Sequence, residues 1–311
     1  MPSLWKFGGL TPILVTQRAI KKIGEDELST RGAALSYYFV LALFPMLLFV
    51  VSLIGIFAGA NSELRQSIFA ALSHLAPGSA SDLMQNVVGQ TAQSSSALKI
   101  GAGIFGALWA ASAGVSAVVV SLNVVYQYTE TRPWWKQKLT VLGLTVSLAG
   151  LIISAVVLVL YGGKIGTALA SHFGLGHLFT VTWSVAQWPF LFAAMFLSFA
   201  LVYYFGPDAP KPSWHWVTPG AALGVILWLA ASAGFRVYLH FFNSYSATYG
   251  SLGAVIILLL WLYITGFVIL LGAELNAVIE AEDRNTALHQ SAILKVQRQM
   301  KFAAASPKQA A

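Results

Sequence analysis

Six runs of this chain are apolar over lengths that a soluble fold has no use for. They are roughly Ala33 to Ala60, Ile100 to Tyr126, Leu139 to Tyr161, Thr180 to Phe205, Trp216 to Arg236 and Leu252 to Ile279. A helix rises about 1.5 Å per residue, so about 20 such residues cross the roughly 30 Å of hydrocarbon in a bilayer. Backbone N–H and C=O groups find no water there, which leaves helices and closed barrels as the spanning structures. The runs lack the alternation of a barrel strand. The expected fold is all-α, a polytopic membrane protein with six transmembrane helices. Only 9% of the residues are charged, against about a quarter in soluble domains.

The segments around these runs divide the chain. Residues 1–30 contain no continuous apolar stretch of the kind a cleavable signal needs. They read as a cytoplasmic, interfacial N-terminal helix that Thr11 caps, Pro12 opens, Lys21 and Lys22 favour at its negative end, and Gly24 terminates. Residues 31–282 form the transmembrane domain. Within it, 61–98 reads as a short helical extracytoplasmic cap, two helices broken at APGSAS, with Leu64, Ile68, Leu72 and Leu75 along one face of the first. Residues 283–311 form a basic cytoplasmic tail.

The charges orient the chain. Fourteen Lys and Arg fall on the side that holds both termini, and four, Arg65, Lys99, Lys164 and Arg236, on the other. By the positive-inside rule both termini are expected in the cytoplasm. The same distribution accounts for the net charge of +7 without nucleic acid, because a basic cytoplasmic surface is what insertion and anionic lipid require.

Catalytic chemistry finds little to stand on. The chain has no cysteine, which excludes thiol catalysis, iron–sulfur clusters and cysteine-ligated zinc. Its histidines, His74, His172, His177, His215, His240 and His289, form no HExxH pair, and Asp26, Asp82, Asp208 and Asp283 are dispersed. GAGIFG, at Gly101 to Gly106, matches a dinucleotide fingerprint in letters only, since no strand precedes it. Ala102, Gly106, Ala110 and Gly114 read instead as a smooth stripe for close helix packing. The expectation is no enzyme, no metal site and no cofactor.

What remains is a set of polar residues at the edges of the spans, where each costs free energy unless it is paired or wet. Arg31 opens the first span, Asn123 ends the second, and Glu274 and Asn276 lie near the end of the sixth, so all four belong at one depth on the cytoplasmic side. Glu274 lies 22 residues beyond Leu252, which leaves three readings open: an interfacial stop, a clasp to Arg31, or a substrate or proton site. Pro45 interrupts the first span, where a kink can open a cavity to which Tyr37 could add a hydroxyl. On the outer side, Arg236 and Tyr238 are candidates for contact with a lipid phosphate.

Three stretches resemble the YihY/BrkB family of bacterial inner-membrane proteins: RGAALSYYFVLALFPMLLF from Arg31, SLNVVYQ from Ser121, and YGSLGAVIILLLWLYITGFVILLGAELNAVIE from Tyr249. The resemblance implies six helices in the bacterial inner membrane with both termini inside. It carries over Arg31, Tyr37, Pro45, Asn123, Tyr249, Gly250, Glu274 and Asn276 as the family-like positions. One departure is Gly206-Pro207-Asp208, which stands where the family pattern suggests a Pro-Asn pair. The resemblance also implies a link to envelope integrity and virulence, with movement of envelope lipids a proposed role of the family. Its old label as a ribonuclease is not supported by this chain, which lacks the clustered HxHxDH of a zinc nuclease.

The expectation is a transport protein, or an accessory to transport, for an amphipathic substrate such as an envelope lipid. With no phosphate-binding loop, it has no nucleotide motor of its own. The alternative is a non-transporting scaffold with a dry, packed centre; a membrane-bound nuclease or hydrolase is the weakest reading. The expected partners are membrane lipids, with envelope proteins or a second copy of the chain as further candidates, and no nucleic acid.

Overall fold

A computed structural model describes residues 4–57, 97–174, 176–209, 217–241 and 251–305. Among them are seven α-helices and no strand: α1 (Pro12–Glu25), α2 (Leu28–Phe57), α3 (Ala97–Val125), α4 (Trp134–His172), α5 (His177–Phe205), α6 (Pro219–Phe241) and α7 (Ser251–Ala305), preceded by a 3-10 turn at Leu4–Gly9. Five of these, α3 to α7, are long and apolar enough to cross a membrane. The sixth, α2, has 30 residues and Arg31 as its one charge. The helical segment expected at 61–98 lies outside the described residues except for its last two, which belong to α3.

The apolar surface points outward. Ile152, Val156, Val159 and Leu160 on α4, Val185, Trp188 and Phe190 on α5, and Ile226 and Val237 on α6 are all exposed, as helices surrounded by lipid require. The tightest core gathers at one end of the bundle, where α3 and α5 finish and α2 and α6 begin. There Leu28, Leu35, Leu122, Tyr126, Tyr203, Ala221 and Leu270 pack together. This end also carries α1 and the outlying half of α7, and is called the tail side below.

Helix α1 forms a strap across the tail side. Thr11 accepts the Leu14 N–H on its hydroxyl at 3.4 Å, and Pro12 opens the helix, as expected from the sequence. The end differs: Gly24 lies inside the last turn, the helix closes on Asp26, and Glu27 makes the turn into α2 at φ 52°. Val15 is buried with Leu4 against Val278 and Ile279 of α7. The Trp5 indole N–H donates to the Val217 carbonyl at 3.0 Å, tying the start of the strap to the approach to α6. Ile13 and Ile20 remain exposed on the strap, which suits a helix lying in the headgroup layer.

Three sequence expectations change in the structure. Of the two glycines in the small-residue stripe, Gly114 packs closely, with an added Cβ 3.1 Å from Ala42, whereas Gly106 has nothing within 4 Å. Helix α4 runs over 39 residues, well past the Leu139 and Tyr161 boundaries, with Gly162 inside it packed against Gln187 of α5. Helix α7 continues unbroken for 55 residues, so no helix end separates the last span from the basic tail at 282.

Candidate functional site

At the tail side, α6 is capped by a residue of another helix. The first N–H groups of a helix have no partner within it. Asn276 of α7 supplies one: its Oδ1 accepts the Gly220 N–H at 2.9 Å, while its Nδ2 donates to the Thr218 hydroxyl at 2.9 Å. Thr218 in turn accepts the Ala221 N–H at 3.0 Å. The two backbones approach so closely that a Cβ on Gly220 would strike the Gly272 carbonyl, and one on Gly272 would strike the Tyr203 hydroxyl and the Gly220 carbonyl. Tyr203 also donates its hydroxyl to the Ile269 carbonyl at 2.7 Å.

A second polar knot joins the ends of α3 and α5. Helix α3 closes with paired bonds from Tyr128 N–H to the Asn123 carbonyl at 2.8 Å and from Gln127 N–H to the Val124 carbonyl at 2.9 Å. This closure puts Gln127 at φ 56°, the left-handed residue that such helix ends use. Asn123, buried, then bridges two segments: its Nδ2 donates to Glu130 Oε2 at 2.8 Å, and its Oδ1 accepts the Asp208 N–H at 2.8 Å. Arg132 grips Glu130 with Nε at 2.7 Å and Nη2 at 2.8 Å. It also donates to the Phe205 and Gly206 carbonyls at the end of α5, where a cation suits the negative helix terminus. Asp208 accepts from the Thr131 N–H and hydroxyl at 2.7 and 2.6 Å.

The charges in this knot tune one another. The Arg132 guanidinium holds the Glu130 carboxyl below its ordinary value despite partial burial. Burial acts against ionisation of Asp208, but the hydrogen bonds from Thr131 and the nearby Arg132 outweigh it and its carboxyl also lies low.

Glu274 occupies a third position. Its residue is 1% exposed, and its Oε2 has no hydrogen-bond partner. Arg31 is directed elsewhere: its Nε donates to the Asp26 backbone carbonyl at 2.9 Å. The carboxyl facing Glu274 within hydrogen-bonding reach is that of Asp26, at the end of α1. Asp26 Oδ2 is likewise buried without a hydrogen bond. Glu274 lines a cavity of about 540 Å³ between the strap, the end of α3 and α7, together with Arg18, Lys22, Tyr126, Glu282 and Arg284. Its rim is laced by ion pairs, Arg18 to Glu282 at 2.7 Å and Lys22 to Glu25 at 3.3 Å, and by Arg284 over the Tyr128 ring at 5.4 Å.

The four residues expected at one depth thus gather at the tail side but enter three separate arrangements. Tyr37 is 59% exposed, with its ring edge-on to Tyr38 at 5.6 Å, and so faces outward. Pro45 lies within α2, which remains one helix through it. Arg236 is exposed on α6, and Tyr238 stacks on Phe235 at 6.2 Å. Sequence reasoning did not place Asp26, Glu130, Arg132 or Asp208 among the site residues. The signal available for two of them was the acid-x-base spacing of Glu130 and Arg132 in the short link between α3 and α4.

Comparison with known proteins places this chain in a family. A family model described as virulence factor BrkB matches residues 19–293. The chain belongs to the BrkB family. Among BrkB-like relatives, a putative ribonuclease-like protein YfkH of Bacillus subtilis strain 168 is 33% identical over 253 residues, 81% of this chain and 90% of the relative. A UPF0761 membrane protein of Aeromonas salmonicida strain A449 is 29% identical over 267 residues, covering 82% of this chain and 84% of the relative. Another, NTHI0384 of Haemophilus influenzae strain 86-028NP, is 26% identical over 263 residues and covers 84% and 93%. No solved structure matches the chain. The match to the BrkB family begins within the strap, at residue 19, and runs into the tail half of α7, leaving outside it Arg18 and the start of the strap.

Proposed function

We propose that this BrkB-family membrane protein moves an amphipathic molecule, an envelope lipid, across or within the bacterial inner membrane, with the tail side in the cytoplasm. It does so without catalysing a covalent reaction. The observation that carries this reading is the cavity beside Glu274. A volume of about 540 Å³ is in the range of small-ligand pockets, roughly 300 to 1,000 Å³, and it fits a headgroup rather than a whole lipid. Acyl chains would remain among the outward apolar faces of the helices. The cavity carries both signs of charge, with Arg18, Lys22 and Arg284 set against Glu25 and Glu282, which suits a polar headgroup better than a packed structural joint. A scaffold would gain nothing from burying a carboxyl oxygen to which no neighbouring group donates.

The test is a proteoliposome assay that follows labelled phospholipid between leaflets. The expected result is exchange faster than in empty liposomes and slowed at least tenfold by Glu274→Gln. Exchange equal to that of empty liposomes overturns transport and leaves the scaffold reading.

A further inference from the structure

The buried oxygens Glu274 Oε2 and Asp26 Oδ2 have the same deficiency: each is an acceptor with no donor. Their carboxyl groups lie within hydrogen-bonding reach of each other. A carboxylate has no hydrogen to give, so two ionised groups in this position would repel and leave both oxygens unsatisfied. One proton between them turns the same contact into an O–H···O bond and satisfies both.

The surrounding groups do not supply that donor. From α1, Lys22 Nζ stands 3.9 Å from Asp26 Oδ2, beyond hydrogen-bond distance, and engages Glu25 at 3.3 Å. From α2, Arg31 is directed to the Asp26 backbone carbonyl. From the end of α3, Tyr126 lines the cavity, and from α7, Glu282 and Arg284 lie further along its wall with Arg18 of α1. Lys22 is therefore near enough to moderate the charge of the pair, but both it and Arg31 are bonded elsewhere.

We propose that Glu274 and Asp26 form a proton-binding site, loaded from the cavity, that couples the transport proposed above to a proton gradient. This rests on the transport reading for its purpose and on the paired orphan oxygens for its chemistry. The proton enters through the cavity on the tail side, which Glu274 lines, and is held between a span helix and the strap. Its departure leaves like charges across the α1–α7 contact. Loading and unloading thereby change how firmly α1 closes the cavity, and a headgroup can be admitted in one state and retained in the other.

The experiment has two arms on the full-length chain. Infrared difference spectroscopy, with no substrate present, reads the carbonyl band of a protonated carboxyl group. The proposal requires such a band at neutral pH, lost in Glu274→Gln and lost or shifted in Asp26→Asn; both variants keep the side-chain shape and supply an amide donor, so folding is preserved. Absence of the band, or its persistence in both variants, overturns the site. In the second arm, lipid exchange in proteoliposomes is measured with and without an imposed pH gradient. A severalfold acceleration in the native chain that disappears in Glu274→Gln supports coupling; exchange indifferent to the gradient overturns it. If no lipid moves under any condition, the transport reading falls, and the infrared band still decides the proton site separately.

Discussion

Asn276 accepts the backbone N–H of Gly220, 56 residues away in sequence, at 2.9 Å, so that one helix caps another. The cap is buried and two-sided, since the same amide donates to Thr218. Truncation in Asn276→Ala leaves the Gly220 N–H without an acceptor, at an expected cost of about 1 to 3 kcal/mol. A lowered melting temperature in detergent, read by intrinsic tryptophan fluorescence, checks this.

The same joint allows a sharper comparison between glycines. In Gly220→Ala the new methyl meets the Gly272 carbonyl, which must shift the backbone of α6 or α7. Overpacking of this kind costs about 1 to 3 kcal/mol. Gly143→Ala on α4 meets nothing within 4 Å and is expected to leave the melting temperature unchanged or slightly raised. Equal effects at the two sites would contradict the close α6–α7 approach.

The knot around Arg132 gives stability a dependence on pH. Glu130 and Asp208 lie below their ordinary values in the folded chain, so the folded state binds fewer protons than the unfolded one in that range. Their contribution is present above the ordinary carboxylate values, 4.5 for Glu130 and 3.8 for Asp208. It is lost as the pH falls through the depressed ones. Thermal melts across this acid range should fall less steeply for Glu130→Gln than for the native chain.

The strap depends on one apolar anchor. Val15 is 1% exposed and packs on α7. Val15→Asp places a charge in that contact and is expected to release α1 without unfolding the spans. Faster amide hydrogen exchange confined to residues 12–25 would register the change, and unaltered exchange there would refute the strap.

The lack of native cysteine makes orientation directly measurable. A single cysteine introduced as Thr286→Cys, at an exposed position on α7, should react with an impermeant maleimide in inside-out vesicles and not in intact spheroplasts. The reverse pattern would place the tail side outside.

The spans were legible in the sequence because lipid imposes a length and a polarity on every helix, and the start of α1 was legible because Thr11 and Pro12 act within four residues of each other. The depth shared by Arg31, Asn123, Glu274 and Asn276 followed from charge asymmetry. Their partners did not. Asn123 bonds Glu130 and Asp208, and Glu274 faces Asp26, contacts set by where loops and the strap return in space. Charge complementarity pointed to Arg31 for Glu274, yet Glu27 turns the chain in the left-handed region and the Arg31 guanidinium meets the Asp26 carbonyl instead. The Gly206-Pro207-Asp208 departure from the family pattern proved structural, since Asp208 closes the knot through its own N–H and its carboxylate.

Helix α7 is 55 residues long, a rod of about 80 Å at 1.5 Å per residue, and Glu274 stands near its midpoint. The close backbone approach of Gly272 to Gly220 of α6 falls two residues before Glu274, so the rod is pinned to a neighbouring helix within one turn of its buried carboxyl group.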